Sequence, residues 1–269
     1  MILGFIGDIV GKPGRDILSA NLTKLKEDFS IDFVIANYEN ASHGFGLSSK
    51  NADELFQSGI NVMTGGNHSF DKKEILPLLD LLPILRPLNY PDTTTGSGLY
   101  ETKIKDTKVA IINLMGYYGM PMVDNPFPKV IKTIDDLENN GYKHIIIDMH
   151  AEATSEKNAL FHMLKNRVSA IIGTHTHIGT DDLMLMDGCC YVTDVGLTGC
   201  MDGVIGMDIK APIKRFLNGF GEYFDVPKEC KAILQMIIFE IDENGRSADA
   251  KKIKLFDDGK IIITQALLM

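Results

Sequence analysis

The sequence predicts an α/β fold in which largely parallel β-sheet is flanked by helices. Three features point there. Short runs rich in Ile and Val recur along most of the chain, stretches with helical spacing lie between them, and turn-forming residues stand directly behind the apolar runs.

Strands are expected at residues 2–6, 33–36, 60–63, 109–114, 144–147, 170–172 and 191–193. These runs are continuously apolar, the pattern of parallel strands buried on both faces. Between them, Ile17, Leu18, Leu22, Leu25 and Phe29 recur at helical spacing, as do Ile75, Leu78, Leu79 and Leu82, and Leu160, Met163 and Leu164. The rhythm then changes. Residues 232–241 and 250–256 flank the turn-forming Asp242-Glu243-Asn244-Gly245, which predicts an antiparallel hairpin, placed at the sheet edge. Residues 198–230 are the least regular, with Gly199, Gly203, Gly206, Gly219 and Gly221 and one short helix after Pro212. A lid or a contact in a homo-oligomer fits such a segment. With no internal repeat and no linker composition, residues 1–269 are read as a single domain.

Composition narrows the function. The 269 residues are 45% hydrophobic and 23% charged with mean hydropathy +0.02, an ordinary soluble globular balance. A net charge of −9 argues against a general electrostatic grip on nucleic acid or an anionic membrane. An anionic ligand would need a local positive centre. Cys189, Cys190, Cys200 and Cys230 show no CxxC spacing, so reduced thiols are expected. The opening MILGFIGD has no basic leader, and no run approaches the ~20 apolar residues of a span. A cytoplasmic protein with no membrane partner is expected.

The chemistry sits behind the strands. The first run ends in Gly7-Asp8, the second is followed by Glu39-Asn40, the third by Gly65-Gly66-Asn67-His68, the fifth by His150, and the sixth by His175-Thr176-His177. Carboxyl ends of parallel strands share one edge of an open sheet, where ligands bind, so residues far apart in sequence should converge. Asp and Asn also begin loops and cap helices, so no single position decides the matter. The joint pattern reads as a metal centre. Imidazole, carboxylate and amide donors without thiolate suit iron, manganese or zinc. Seven candidate ligands exceed the needs of one ion and favour two. Asp8 and Glu39 bring two negative charges against four positive from two divalent ions, which creates the local positive centre. Phosphate ester hydrolysis is the matching chemistry.

At these residues the chain resembles the calcineurin-like metallophosphoesterase superfamily, whose blocks run GD, an acidic bridging residue, GNH, a lone His and GHxH. More closely, MILGFIGDIVGKPGR, ANYENASHGFGLS, GGNHSFDKKE, DMHAEATSEK, GTHTHIGT and YVTDVGLTG resemble the bacterial YmdB-like phosphodiesterases over most of residues 1–210. Two departures from the wider superfamily are shared with that subgroup: Asp8-Ile9-Val10 lacks the usual DxH histidine, and Glu39-Asn40 replaces the bridging Asp. The resemblance implies the layered metallophosphoesterase fold and two iron or manganese ions. Asp8, Glu39, Asn40 and His177 would hold one ion; Glu39, Asn67, His150 and His175 would hold the other, with Glu39 as bridge. His68 would protonate the leaving oxygen, a role for which an imidazole is suited near neutral pH. The implied substrates are small phosphodiesters, 2′,3′- and 3′,5′-cyclic nucleotides. Phosphomonoesterase or protein phosphatase activity, and a non-catalytic regulatory protein stabilised by its metals, stand as alternatives.

Other motifs carry less. Gly7 to Lys12 has three residues before Gly-Lys and Pro13 after it, so it is not a Walker loop. Lys12 and Arg15 could contact phosphate or merely open a solvated helix, and His43 could line the pocket. His144 and His162 read as structural or surface residues, and the Cys189-Cys190 pair as small packing residues. Asp194 and Asn113 stand at strand ends as supporting partners for the ligand histidines or as caps.

Overall fold

Alternation along the strands decides how the layers stack. The computed structural model describes residues 1–269. The first half of the chain forms β1 (Ile2–Ile6), α1 (Gly11–Asp28), β2 (Phe33–Asn37), α2 (Ser49–Gln57), β3 (Val62–Thr64), β4 (Leu99–Ile104) and β5 (Thr107–Met115). The second half forms α3 (Pro126–Asn139), β6 (His144–His150), α4 (Thr154–Leu164), β7 (Ala170–Thr174), β8 (Met184–Met186), β9 (Cys189–Val192) and β10 (Gly199–Cys200). Then come α5 (Lys210–Asn218), β11 (Ala232–Ile241), β12 (Ser247–Phe256), β13 (Ile261–Gln265) and β14 (Leu267–Leu268).

The strands form two seven-stranded sheets. One runs β13-β12-β11-β1-β2-β3, with β10 also paired to β11; the other runs β14-β8-β9-β7-β6-β5-β4. Neighbouring side chains in a strand point to opposite faces, so each strand serves two cores. Leu3 and Phe5, Phe33 and Ile35, and Ile237 and Phe239 face inward, meeting Val109, Ile111, Ile146 and Ile172 of the second sheet. The alternate residues Ile6, Val34, Ala36, Met236 and Ile238 pack beneath Leu18, Leu22 and Leu25 of α1 and Leu55 of α2. On the far side, Ala110, Ile112, Ile145 and Ile147 meet Ile134 of α3 and Phe161 of α4. The result is helix, sheet, sheet, helix. Burial on both faces explains the uninterrupted apolar runs.

The parallel blocks are β1-β2-β3 in one sheet and β5-β6-β7-β9 in the other. The antiparallel hairpin is β11-β12, with the register running from Ile233 opposite Phe256 to Ile241 opposite Ser247. It extends the first sheet on the far side of β1, and β13, which the sequence reading omits, adds the outermost strand. From there Ala266 leads across to β14, which pairs with β8 of the other sheet. The expected helix at 75–82 is a 3-10 helix at Lys73–Leu78, since Pro77 inside it removes a donor. No helix is long and apolar enough to cross a membrane.

Candidate metal centre and cleft

Five strand ends deliver their residues to one place. Asp8 follows β1, Glu39 and Asn40 follow β2, Asn67 and His68 follow β3, His150 ends β6, and His175 and His177 follow β7. Asp8, Glu39, Asn40, His150 and His177 are buried; Asn67, His68 and His175 are partly exposed. Both His175 and His177 have positive φ, +99° and +64°, conformations that turn the chain sharply and aim the two rings back toward the strand ends.

The contacts at His150 are the informative ones. Its Nε2 lies 3.0 Å from Glu39 Oε1, 3.2 Å from Asn67 Oδ1 and 3.1 Å from His175 Nδ1. One nitrogen carries at most one hydrogen, so it can satisfy only one of three electron-rich neighbours. Its other nitrogen is committed: Thr174 Oγ1 donates to Asp148 Oδ1 at 2.7 Å and therefore accepts from His150 Nδ1 at 2.9 Å. The Nε2 lone pair is left pointing at the cluster. His175 repeats the arrangement, with Nε2 3.1 Å from Glu152 Oε2 and Nδ1 turned inward. His177 does so too, donating from Nδ1 to Ile205 O at 2.7 Å while Nε2 meets Asn40 Oδ1 at 3.1 Å. Asn40 Nδ2 is spent on Gly44 O at 2.8 Å, which fixes its oxygen inward. Tautomers set by such outer partners are how proteins present imidazole to a cation.

Two groups result. Glu39, Asn67, His150 and His175 surround one point, and Asn40 and His177 face each other at a second. Asp8 adjoins the first: Oδ1 lies 3.7 Å from His150 Nδ1, and Oδ2 accepts from the His175 backbone N–H at 3.2 Å. Asp8 Oδ1 is buried without any hydrogen-bond partner. An orphaned carboxylate oxygen beside convergent lone pairs fits a cation site. Gly66 closes on the same point, since a Cβ there would overlap Glu39 Oε2 and His150 Nε2.

The electrostatics agree. Burial alone would raise the Glu39 carboxyl, yet His150, His68 and His175 hold it down at about 2. Burial presses His150 downward, but Glu39 and Asp8 carry it up to about 9. The negative charge gathered around His150 favours a positive occupant at this point. His175 is pushed down to about 3 by burial and by His150, and Asp8 is raised by burial.

Several supporting residues escaped the sequence reading. Asn37 Nδ2 donates to Asp148 Oδ2 at 3.0 Å, and its Oδ1 accepts from Glu39 N at 3.0 Å. Asp148, Thr174 and Glu152 orient the imidazoles as described. They lie within or next to strands, where polar residues in apolar runs were the available signal. Lys157 of α4 is fully buried, donating to Thr174 O at 2.7 Å and to Asp194 Oδ2 at 3.0 Å. Asp194 in turn accepts from Thr176 N at 3.0 Å and so supports the His175-His177 turn. Asn113 touches none of the candidate ligand histidines. Instead its amide clamps Gly65, accepting from the N–H at 2.9 Å and donating to the carbonyl at 3.0 Å, which positions the Asn67-His68 loop.

The cluster opens into a cleft of about 720 Å³. His68 lines it, with Nδ1 2.8 Å from Asp71 Oδ2 and its ring edge-on to Phe45 at 5.0 Å. The irregular segment supplies the remaining wall through residues between Val204 and Phe224. Lys12 pairs with Asp16, and Arg15 with Glu54 and the Ala41 carbonyl, so both brace α1. His43 lies outside the cleft, and His144 bonds the Asp242 carbonyl.

The description YmdB-like protein belongs to the family model that matches residues 5–254. A Bacillus subtilis (strain 168) relative named 2′,3′-cyclic-nucleotide 2′-phosphodiesterase is 43% identical over 257 residues, covering 94% of this chain and 97% of that protein. A crystal structure described as a novel phosphatase from Mycoplasma pneumoniae superposes with TM-score 0.90 at 35% identity, covering 95% of this chain and 93% of that one. A hypothetical protein from Thermus thermophilus superposes with TM-score 0.88 at 33% identity, covering 99% of this chain and 100% of that one.

Proposed function

This chain belongs to the YmdB-like family of phosphoesterases, and from that premise we propose that it is a dinuclear metal-dependent phosphodiesterase acting on cyclic nucleotides, the 2′,3′-cyclic ones first. Asp8, Glu39, Asn40, Asn67, His150, His175 and His177 would hold the ions, and His68 would be the acid. The observation that carries this reading is His150 Nε2, which faces three donor atoms at 3.0–3.2 Å beside the orphaned Asp8 Oδ1. Nitrogen and oxygen donors without sulfur suit iron or manganese. When bound, such ions neutralise phosphoryl oxygens and lower the pKa of water, which is what in-line displacement at phosphorus requires.

The chain's own residues do the rest. Glu39 is held at both oxygens, with Oε1 on His150 Nε2 and Oε2 accepting from the His68 backbone N–H at 3.2 Å. His68 gives Nδ1 to Asp71 and keeps Nε2 for the substrate; the proton moves from Nε2 to the ester oxygen that leaves phosphorus. Asp71 steadies the ring while it is charged. In a cyclic diester the leaving oxygen remains tethered to the ribose, so this one proton completes a ring opening.

A second reading, hydrolysis of monoesters, is favoured by the description of the Mycoplasma structure as a phosphatase. Elemental analysis of the purified protein, with rates on adenosine 2′,3′-cyclic phosphate and p-nitrophenyl phosphate before and after chelation, separates the two. About two transition-metal ions per chain and a chelator-sensitive diester preference support the proposal. A monoester preference would replace it with the second reading, and a metal-free protein inactive after iron or manganese addition would overturn both.

A further inference from the structure

The cleft is much larger than a phosphoryl group requires, and at about 720 Å³ it has the size of a site for a whole small molecule. Resting on the phosphodiesterase reading above, we infer that the segment from Val204 to Phe224 carries a nucleobase subsite: the Arg215 guanidinium in cation–π contact with Phe224, with Phe216 and Tyr223 in the same wall.

Arg215 is the only Lys or Arg lining the cleft, in a chain of net charge −9. No carboxylate pairs with it, because the nearby Glu222 is taken by Lys214. What holds it is Phe224, whose ring centroid lies 5.7 Å from the guanidinium carbon. A guanidinium held near an aromatic ring by cation–π attraction, with no carboxylate on it, keeps donors and planar surface open to a ligand, and bases stack on guanidinium planes as they do on aromatic rings. Phe216 is 87% exposed and Tyr223 68% exposed, although both line the cleft. Aromatic surface left open at the mouth of a cleft marks a place where an apolar ligand face is covered.

The platform is tied to the metal-ligand cluster. Ile205 O accepts the hydrogen of His177 Nδ1 at 2.7 Å, so the segment that carries Arg215 also sets the tautomer of His177. Met207 closes over Gly44, where a Cβ would lie 2.6 Å from the Met207 methyl. The phosphate end and the base end of a nucleotide are therefore held by one connected structure. Stacking asks for a flat face and not for a particular hydrogen-bonding edge, so the subsite accepts every base, purines more tightly than pyrimidines.

The test compares two five-membered cyclic diesters, adenosine 2′,3′-cyclic phosphate and the base-free glycerol 1,2-cyclic phosphate, with calorimetric binding of adenosine 3′-monophosphate alongside. Phe224→Leu and Arg215→Met should each raise KM for the adenosine substrate about tenfold with kcat little changed, leave kcat/KM on the glycerol diester intact, and weaken binding of the monophosphate similarly. Phe224→Tyr should restore both. Variants that lose both diesters equally, or that keep the wild-type ratio, would overturn the subsite. Should the protein hydrolyse neither diester, the phosphodiesterase reading fails while the calorimetry still decides: unchanged monophosphate affinity in both variants would dismiss the platform, and a tenfold loss would sustain it.

Discussion

At the residue scale, each site side chain owes its role to a partner that disposes of its other end. His68 is the clearest case, with Asp71 on Nδ1 and the cleft beyond. Replacing His68 with Ala is expected to lower kcat on a cyclic diester about 10²- to 10⁴-fold, the usual worth of a positioned acid, while elemental analysis finds the metal content unchanged. Loss of metal along with activity would instead make His68 a ligand. Gly66→Ala should have the opposite signature. Its methyl would occupy the space between Glu39 Oε2 and His150 Nε2, so the variant should lose bound metal and activity together. The candidate ligands are legible in the sequence because each ends or follows a strand. Their partners were not, since Asn37, Asp148 and Thr174 sit inside strands, where a polar residue alone does not reveal what it touches across 111 or 26 positions of chain.

At the element scale, the strand ends act as a frame, and the elements behind them hold it in place. The buried Lys157–Asp194 pair links α4 to the loop after β9, and through Thr176 to the turn bearing His175 and His177. Lys157→Met would leave Asp194 charged and buried without its partner. The expected cost is about 3–5 kcal/mol in denaturant unfolding, accompanied by weaker metal retention. A change below about 1 kcal/mol would show that the pair is not what holds the turn. The segment from Val204 to Phe224 illustrates the reverse: its glycine-rich irregularity announced a special role, but only its position over the cluster shows that it forms a cleft wall.

At the scale of the whole molecule, burial sets both the pH response and the effect of the ions. Lys252, 3% exposed on β12, donates to the Thr180 and Asp194 carbonyls. Burial lowers its pKa from 10.5 to about 8, with Lys254 adding to the effect. Between those values the unfolded chain holds a proton that the folded chain has lost, so stability should rise as pH increases from about 8 to 10.5. Unfolding midpoints for the parent and Lys252→Met across that interval check this, and the variant should lack the rise. Ions that bind only the folded form should raise Tm, and removing ions present at about a thousand times Kd should cost about 4 kcal/mol. A melting curve unaffected by chelation would count against an occupied centre.

By itself the sequence determined the class of the fold, most strand positions and the C-terminal hairpin, and it singled out all eight residues proposed for the site, because hydrophobic periodicity and strand-end chemistry are local properties of a chain. Tertiary structure decided the remainder. That Leu3 and Phe5 face Val109 and Ile111 across a second sheet, and not a helix layer, depends on which surfaces meet, and continuous apolar runs are equally consistent with either. The tautomers of His150, His175 and His177, the orphaned oxygen of Asp8 and the Arg215–Phe224 cation–π pair arise from contacts that only the folded chain makes. Periodicity tells which way a side chain faces; only packing tells what it meets.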